Sequence, residues 1–484
     1  MMLASLGTAS IHTGTSAIAA PAVQTDSAFD PALLARYDVP GPRYTSYPTA
    51  PFFRGDFGET QLRSVAAASH ESARPLSLYL HVPFCTSPCF YCGCARIITR
   101  DPSRAEAYLT RLQTEIRLGA GMFDRSRRVE QLHLGGGTPN FLSADQMTRL
   151  IAALGEHFTL SHASDREFGI EIDARYADAE YVHMLAQLGF NRLSLGIQDF
   201  DADVQAAVNR VQTFEQTQAV IEAARAHGFS SVSVDLIYGL PKQTLSHFAQ
   251  TLDKVIALRP DRVAAYGYAH LPERFKAQRQ IRAADMPDAA TRLALLALTI
   301  ERLTQAGFVY IGLDHFARPD DELAIAQRQG SLQRNFQGYS THAACDLLGL
   351  GLTAISHIGD TFSQNAKEMK NYCAALDAGC LPTERGLALS TDDIIRAEVI
   401  QRLMCHGCLD IPVFATRHRI DFAAYFAAEL ERLRLLQRDG LVTCNDAGIS
   451  VLPRGRFLLR IIAMCFDAYL TSNPLGQIRY SQAV

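Results

Sequence analysis

The chain has 484 residues, 48% of them hydrophobic and 20% charged, with a formal net charge of −4. This composition is that of a large globular protein and excludes wholesale disorder. The sequence has neither the excess of basic residues that is typical of nucleic-acid-binding proteins nor a block of Lys and Arg that would bind a membrane surface. Its apolar runs are far shorter than the roughly 18 residues that a membrane-spanning helix needs. The 11 cysteines, an odd number in a long chain, favour a reducing cytoplasmic location over a disulfide scaffold.

Residues 1–31 are predicted to be a flexible N-terminal extension. The first 28 of them are rich in Ala, Ser and Thr and contain no Lys or Arg. A secretory signal would need a basic start followed by a solid apolar stretch, and both are missing. We therefore exclude this extension from the predicted fold, which begins with a segment at 32–75.

From residue 76 onward, strand-like and helix-like segments alternate. Strands are predicted at 76–83, 129–136, 167–173, 192–199, 231–239, 262–270 and 308–316, and amphipathic helices at 143–158, 178–189, 214–228, 244–258 and 290–306. Repeated βα units imply a parallel sheet with right-handed crossovers. Within the strands, apolar residues alternate with small, polar or ionisable ones, although a sheet packed on both faces should be apolar throughout.

This alternation indicates that one face of the sheet meets helices while the other lines an enclosed polar lumen. The predicted fold class is α/β, a partial (βα)6-type barrel over 76–316. Active sites of such barrels lie at the carboxyl ends of the strands. Glu171, Gln198 and Asp235 fall at those ends.

The C-terminal part of the chain has a different pattern. Residues 317–385 are predicted to connect the barrel to a C-terminal domain and to cover the active site. Residues 386–484 form a small, mostly helical domain, with helices at 391–405, 420–437 and 454–470 and a hairpin at 441–453. This order is typical of a winged-helix domain, and without a basic patch we expect it to pack on the barrel rather than to bind DNA.

Four cysteines lie close together directly after the first predicted strand. Cys85, Cys89 and Cys92 have the spacing C-x3-C-x2-C, which suits a cubane iron–sulfur cluster held by soft sulfur ligands. Zinc usually takes four ligands in two pairs separated by a longer insert, which is absent here. We exclude Cys94 as a fourth ligand, because three ligands leave one iron open to a small molecule.

The cysteine motif, placed after strand one of a βα barrel, resembles that of the radical S-adenosylmethionine family. A second mark is GGGTP at 135–139, where glycines permit close backbone approach and exposed amides can receive a ligand. The resemblance implies a [4Fe–4S] cluster on the three cysteines and S-adenosylmethionine on the open iron. Reduction would cleave the sulfonium to methionine and a 5′-deoxyadenosyl radical.

Further segments resemble the oxygen-independent coproporphyrinogen III oxidases, from about residue 32 to the C-terminus. They are GPRYTSYPTA (41–50), SLYLHVPFC (77–85), CFYCGC (89–94), IYGLPKQT (237–244), DHFARPDDELA (314–324) and RNFQGY (334–339). The resemblance implies decarboxylation of two propionates of coproporphyrinogen III to vinyls, giving protoporphyrinogen IX and consuming two S-adenosylmethionines. It also implies a low-potential electron donor such as flavodoxin or ferredoxin, and a monomeric protein.

The same resemblance assigns ligand residues by motif. Those matching contacts to the cluster-bound S-adenosylmethionine are Tyr79, Gly136, Glu171 and Ile355. Those matching the site of a second molecule are Tyr91, Gly137, Thr138, Gln198, Arg210, Asp235 and Ala269. The alternation of the strands independently places Tyr79, Glu171, Gln198 and Asp235 on the lumen face.

The segment GPRYTSYP resembles a lid, since a radical site must exclude water and oxygen. Arg43 and Arg334 are candidates to pair with substrate propionates, because arginine binds carboxylates bidentately. With Tyr79 and Glu171 they complete our candidate catalytic residues. The pair Cys405 and Cys408 is expected to have no metal or redox role.

Two other functions remain open at this point. A related haem-binding chaperone would carry the cluster without turning over porphyrinogen, but such relatives usually lack GPRYTSYP and differ at Gly93 and Cys94. A radical enzyme acting on another tetrapyrrole is the second alternative.

Overall fold

The computed structural model describes residues 29–69, 74–342, 344–471 and 480–482. The predicted extension over 1–31 lies outside the described residues except for its last three positions. The N-terminal region contributes α1 (Pro31–Arg36) and α2 (Glu59–Ala68). Within the described part of the chain, none of the helices combines the length and apolar character that crossing a bilayer requires.

The central region is a succession of strands and helices that build one large sheet. Its elements are β1 (Leu76–Val82), β2 (Phe84–Cys85), β3 (Ile97–Ile98), α3 (Pro102–Ala120), β4 (Arg128–Gly136), α4 (Ala144–His157), β5 (Thr159–Leu160), β6 (Glu167–Ile172), α5 (Ala179–Gln187), β7 (Arg192–Gln198), α6 (Ala202–Ala207), α7 (Phe214–Ala226), β8 (Ser231–Tyr238), α8 (Leu245–Ala257), β9 (Arg262–Gly267), α9 (Ala289–Gln305), β10 (Val309–Gly312) and β11 (His315–Ala317). Strands β1, β4, β6, β7, β8 and β9 are parallel and adjacent in chain order. The predicted α/β class is confirmed.

Capping residues set the starts of the wall helices. Ser143 Oγ accepts a hydrogen bond from the Gln146 amide at 3.2 Å, and the Gln146 side chain accepts from the Ser143 amide at 3.1 Å. Thr213 and Gln216 form the same reciprocal pair at the start of α7. Each pair satisfies two backbone donors that the first turn of a helix leaves free, which explains why α4 and α7 begin where the sequence predicts.

The predicted alternation of buried apolar and lumen-facing polar residues is confirmed. In β8, Val232, Val234 and Leu236 are fully buried in the main core. Ser233 and Asp235, between them, line the lumen. Because side chains of a strand point alternately to its two faces, the parallel strands present an apolar wall to the helices and a polar wall to the interior.

The prediction of a single strand at 308–316 is wrong. The chain reverses after Gly312, where Leu313 adopts a φ of 54°, and continues as β11. Strand β11 pairs antiparallel with both β10 and β9. The hairpin thus ends the run of parallel strands at β9 and leaves His315 facing the lumen.

The region predicted as a connection extends the sheet on its other side. Its elements are α10 (Glu322–Gln329), β12 (Gln333–Asn335), β13 (Gly338–Ser340), β14 (Asp346–Leu350), β15 (Ile355–Ile358), β16 (Thr361–Asn365), α11 (Met369–Asp377) and β17 (Thr383–Ala388). Strand β14 is parallel to β1, and β15, β16 and β17 follow it in antiparallel order. The sheet ends at β10 on one side and at β17 on the other, so its hydrogen bonding does not close into a full barrel.

The C-terminal domain has a core of its own. Its elements are α12 (Thr391–His406), β18 (Cys408–Asp410), α13 (Ile411–His418), α14 (Phe422–Tyr425), α15 (Ala427–Arg438), β19 (Val442–Asn445), β20 (Gly448–Val451), a 3-10 helix (Pro453–Leu458), α16 (Leu459–Met464) and α17 (Ala468–Thr471). The helix predicted at 420–437 is interrupted at the fully buried Phe426, and the helix predicted at 454–470 is divided into three. Leu34, Tyr44 and Tyr47 of the N-terminal region belong to this core.

Candidate active site

The cysteine loop leaves the carboxyl end of β1 and is held in place by its own backbone. Cys85 ends β2, which pairs with β3 on the far side of the loop. Arg96 donates to the carbonyl oxygens of Cys92 at 2.8 Å and Cys89 at 3.3 Å. One guanidinium therefore ties the second and third cysteines together and fixes the loop between two short strands.

Each of the three sulfurs has a donor within 4 Å. Thr138 Oγ1 lies 3.4 Å from Cys85 Sγ, the backbone amide of Cys94 donates to Cys92 Sγ at 3.4 Å, and the Arg210 guanidinium donates to Cys89 Sγ at 3.7 Å. The hydrogen bond with Cys94 and the charge of Arg96 lower the pKa of the Cys92 thiol to about 6. Burial raises the pKa of Cys85 to about 11.

These surroundings fit an iron–sulfur cluster. Thiolates are the metal ligands, and hydrogen bonds to the sulfurs stabilise their negative charge and tune the cluster potential. The structure places such donors at all three cysteines of the motif and a cationic side chain beside the loop. The exclusion of Cys94 as a ligand stays a prediction.

The glycine turn at the end of β4 packs against the cysteine loop. Gly136 has a φ of +115°, and a Cβ there would lie 2.7 Å from the His81 ring. A Cβ on Gly137 would lie 2.7 Å from the carbonyl oxygen of Phe84. The absence of side chains therefore lets this turn lie directly against the chain that enters the cysteine loop, as the sequence predicts.

Two carboxylates face each other behind this turn. Glu171 accepts from the Gly136 amide at 3.4 Å and lies 3.4 Å from His133 Nε2. Burial would raise its pKa, but the hydrogen bond and charge of His133 outweigh burial, so the pKa of Glu171 is lowered. Asp235 has no such partner in the part of the chain that the structure describes, and burial together with the charge of Glu171 raises its pKa to about 7.

A buried arginine and a strained glutamine complete the cleft. Arg210 donates to Asp173 Oδ2 at 3.0 Å and to the Gly196 carbonyl at 2.6 Å. Gln198 has a φ of 70°, and its buried Oε1 has no hydrogen-bond partner among the described residues. An orphaned buried acceptor in a cleft needs a donor from outside the chain, which a ligand or a water can supply. Asp173, which also binds Arg175, was not among the predicted site residues.

The structure brings most of the predicted site residues into this one cleft. Those that line it are Cys85, Cys89, Cys92, Tyr91, Gly136, Gly137, Thr138, Glu171, Gln198, Arg210 and Asp235. Apart from Arg210, which follows α6, they come from the cysteine loop and from the carboxyl ends of β4, β6, β7 and β8. Parallel strands end at the same edge of a sheet, which is why the residues meet.

Three predicted residues lie beside the cleft rather than in its lining. The Tyr79 hydroxyl is 3.1 Å from His81 Nδ1, and its ring stacks on His133 with centroids 6.1 Å apart. Ile355 begins β15, next to the partner of Tyr79 in β14. The Ala269 carbonyl accepts from the Gln278 amide at 3.2 Å, and the same amide binds the carbonyl oxygen of Tyr91 at 2.9 Å.

A second cavity, the lumen of the barrel, joins the cleft. Glu171, Ser194 and Asp235 line both. Arg43 lies at the edge of the lumen rather than in the cleft, with its guanidinium 5.6 Å from the centre of the Tyr266 ring. It forms an ion pair with Asp314, which raises the pKa of Arg43.

Arg334 lies beside Arg43 and is only 5% exposed. Its guanidinium is 5.0 Å from the centre of the Tyr339 ring, its Nε donates to the Arg43 carbonyl at 3.3 Å, and its buried Nη1 has no partner among the described residues. His315, which the sequence analysis missed as a site residue, lines the same lumen. Burial and the charge of Arg334 lower the pKa of His315 to about 3, so the ring is neutral.

Comparison with known proteins agrees with this geometry. The radical SAM superfamily profile matches residues 79–255, and that of the HemN C-terminal domain matches 389–458. The chain is 49% identical over 456 residues to the oxygen-independent coproporphyrinogen III oxidase of Pseudomonas aeruginosa, covering 94% of this chain and 99% of that one. It is 49% identical over 449 residues to the enzyme of the same name from Escherichia coli strain K12, covering 93% and 97%.

A solved structure gives the same result. The solved structure of coproporphyrinogen III oxidase (HemN) from Escherichia coli, a radical SAM enzyme, superposes with a TM-score of 0.87 at 48% identity, covering 91% of this chain and 99% of that one. The fold, the three-cysteine loop and these matches define a radical SAM enzyme, a class that holds a [4Fe–4S] cluster and S-adenosylmethionine. Within that class, the chain belongs to the family of oxygen-independent coproporphyrinogen III oxidases.

Proposed function

We propose that the protein decarboxylates two propionates of coproporphyrinogen III to vinyl groups, without oxygen, giving protoporphyrinogen IX and two CO2 in haem biosynthesis. Two S-adenosylmethionines would be converted to methionine and 5′-deoxyadenosine for each protoporphyrinogen IX that is formed. The observation that carries this proposal is the junction of the two cavities, where the cleft beside the cysteines and the polar lumen share Glu171, Ser194 and Asp235. Family membership supports the choice of substrate.

Cys85, Cys89 and Cys92 would hold the cluster. When bound, the cluster and S-adenosylmethionine supply one-electron cleavage of the sulfonium and hydrogen abstraction from the β-carbon of a propionate. The chain's own residues bind and orient the reactants around that event, since a radical enzyme gains its selectivity from the position of the reacting carbon.

Two sets of residues would bind S-adenosylmethionine. Tyr79, Gly136, Glu171 and Ile355 are the proposed contacts of the first molecule. Tyr91, Gly137, Thr138, Gln198, Arg210, Asp235 and Ala269 are the proposed contacts of the second. The orphaned Oε1 of Gln198 supports this second site, because an ammonium or hydroxyl donor would satisfy it. The lowered pKa of Glu171 keeps that carboxylate charged, as contact with a cationic amino group needs.

Two arginines beside the lumen, packed on the rings of Tyr266 and Tyr339, would bind the substrate's carboxylates. Arg334 is a buried guanidinium with no carboxylate within 4.0 Å among the described residues. A buried cation without a counter-charge is costly, and a propionate would supply that charge with bidentate geometry. Arg43 is already paired with Asp314. We propose that Arg334 is the main propionate contact and Arg43 an additional one.

The N-terminal segment would act as a lid over the lumen. Arg43 extends from it to Tyr266, while Tyr44 and Tyr47 anchor it in the C-terminal core. Such a cover would keep water and oxygen from the radical. We further propose that the protein works in the cytoplasm as a monomer and takes electrons from a flavodoxin or ferredoxin.

The test is anaerobic turnover of the reconstituted chain. The assay would contain S-adenosylmethionine, a low-potential reductant, an electron acceptor and coproporphyrinogen III, and would follow 5′-deoxyadenosine and protoporphyrinogen together. We expect about two deoxyadenosines per protoporphyrinogen.

Other outcomes would contradict the proposal in distinct ways. Cleavage of S-adenosylmethionine without a vinyl product would indicate a different substrate. Tight haem binding with neither product would indicate the related chaperone.

A further inference from the structure

A mixed group of potential metal ligands lies at the end of the barrel opposite the cysteine loop. Glu130 is near the amino end of β4, and His342 and Cys345 lie in the loop before β14. One carboxylate oxygen, one ring nitrogen and the thiol sulfur all lie within 4.8 Å of one another. This group takes no part in the proposed reaction, because the cleft opens at the carboxyl ends of the same strands.

The His342 ring is placed between two carboxylates. Its Nδ1 lies 3.9 Å from Glu130 Oε2, and its Nε2 lies 3.8 Å from Glu167 Oε1. Metal-ligating histidines almost always direct their second ring nitrogen to a carboxylate or carbonyl, which fixes the tautomer and raises the basicity of the ligand. Glu167 lies on the side of the His342 ring where such a carboxylate would stand, although 3.8 Å is longer than a direct hydrogen bond.

The second carboxylate is itself held in place. Glu167 accepts a hydrogen bond from the Thr341 hydroxyl at 2.7 Å and from the Gln131 side-chain amide at 2.8 Å. The Ser340 hydroxyl oxygen accepts from the His342 backbone amide at 3.1 Å and from the same Gln131 amide at 3.2 Å. Residues 340–342 are therefore fixed to β4 and β6 before any ion binds.

The neighbouring Asp346 is already paired with other residues, so we do not count it among the ligands. Asp346 forms a buried ion pair with Arg127 at 2.5 Å and accepts from the Gly359 amide at 3.1 Å. Glu130, by contrast, has no lysine or arginine within 4.0 Å among the described residues, and the ionisable groups beside it are His342 and Cys345. Its carboxylate is available to an ion, whereas that of Asp346 is not.

We propose that Glu130, His342 and Cys345 bind a Zn²⁺ ion. Zinc takes sulfur, imidazole nitrogen and carboxylate oxygen as ligands in tetrahedral sites, and three protein ligands leave the fourth position to water. Binding would release the thiol proton of Cys345, so affinity rises with pH. The ion would join the start of β4 to the loop before β14 and stabilise the amino end of the barrel.

The test is zinc binding by the full chain with its iron–sulfur cluster in place. Protein loaded anaerobically to about four irons per chain would be titrated with zinc against a chromophoric chelator. We would compare the wild type with Cys345→Ser, His342→Gln and Glu167→Gln, with Cys444→Ser in a C-terminal hairpin as the matched control. Iron content and melting temperature would be recorded for every variant.

We expect about one zinc per chain in the wild type and in Cys444→Ser, and loss of that zinc in Cys345→Ser and His342→Gln with iron content unchanged. Glu167→Gln should weaken binding by about 10- to 100-fold, as expected for the carboxylate behind a ligating histidine. Equal zinc affinity in wild type and Cys345→Ser, or no zinc bound by the wild type, would overturn the proposal. If Cys345→Ser does not fold, His342→Gln decides the question in the same way.

Discussion

Replacing Arg334 by methionine is the sharpest test of how the substrate is held. The side chain is 5% exposed, lies over the Tyr339 ring and carries a buried Nη1 that has no partner among the described residues. Methionine keeps much of the length and apolar contact but removes the charge. If Arg334 binds a propionate, the variant should bind coproporphyrinogen III more weakly while S-adenosylmethionine still enters the cleft.

The magnitude follows from the bond that is lost. A hydrogen bond to a charged group contributes about 1.5–3 kcal/mol, and each 1.4 kcal/mol is a factor of ten. The KM for coproporphyrinogen III should therefore rise by about 10- to 150-fold. The free energy of unfolding should change little, because loss of the contact with Tyr339, about 0.5–2 kcal/mol, is offset by removal of an unpaired buried charge.

The assay is initial rates of protoporphyrinogen formation over a range of substrate concentrations under anaerobic conditions. Arg328→Met is the matched control, since Arg328 is exposed and donates only to the Pro319 carbonyl at 2.9 Å among the described residues. Its KM should equal that of the wild type. A wild-type KM in Arg334→Met, with an unchanged melting temperature, would refute our assignment of Arg334.

Three further predictions test the cluster, the glycine turn and a buried acid. Cys89→Ser should remove most of the iron measured after reconstitution and abolish 5′-deoxyadenosine formation; full activity would contradict the ligand assignment. Gly136→Ala should destabilise the protein by about 1–3 kcal/mol, because residue 136 has a φ of +115° and a Cβ there would clash with the His81 ring. Gly155 lies in open space on α4, so Gly155→Ala should stabilise the protein by about 0.5–1 kcal/mol. Chemical denaturation measures both changes. Burial raises the pKa of Glu115 from 4.5 to about 7, so the native state holds a proton that the unfolded state has lost. The free energy of unfolding should therefore fall as pH rises from about 4.5 to 7. Glu115→Gln should make the free energy of unfolding less dependent on pH in this range, and an unchanged slope would refute the raised pKa of Glu115.

The sequence predicted the barrel because its evidence is local. Alternation with a period of two marks each strand, and capping pairs such as Ser143 with Gln146 mark helix starts. The extension of the sheet by β14 was not predictable in this way, because β14 pairs with β1, which lies some 270 residues earlier along the chain. The hairpin was missed because two consecutive residues with positive φ, Gly312 and Leu313, interrupt an otherwise continuous strand pattern.

In the candidate site, too, local sequence patterns predicted some residues and missed others. The cysteine motif and the strand ends predicted the cleft lining, because parallel strands place their carboxyl ends together. Asp173 was missed although it follows Glu171 on the same face of the chain, and the period-two pattern could have indicated it. His315 was missed because the sequence pattern runs a single strand through the hairpin, whereas the structure pairs β11 with β9 and places His315 in the lumen lining.

The C-terminal domain holds the N-terminal segment that carries Arg43 to the edge of the lumen. Arg460 of α16 donates to the carbonyl oxygen of Pro42 at 3.1 Å, and Asp467 accepts from the Tyr44 hydroxyl at 2.9 Å. Arg43, between these two anchored residues, is the one that pairs with Asp314 and reaches the lumen. The position of Arg43 is therefore set by side chains more than 400 residues away in sequence. If the segment is the lid that we propose, it needs the C-terminal domain behind it, because so short a segment has too few contacts of its own to hold a guanidinium at a fixed place.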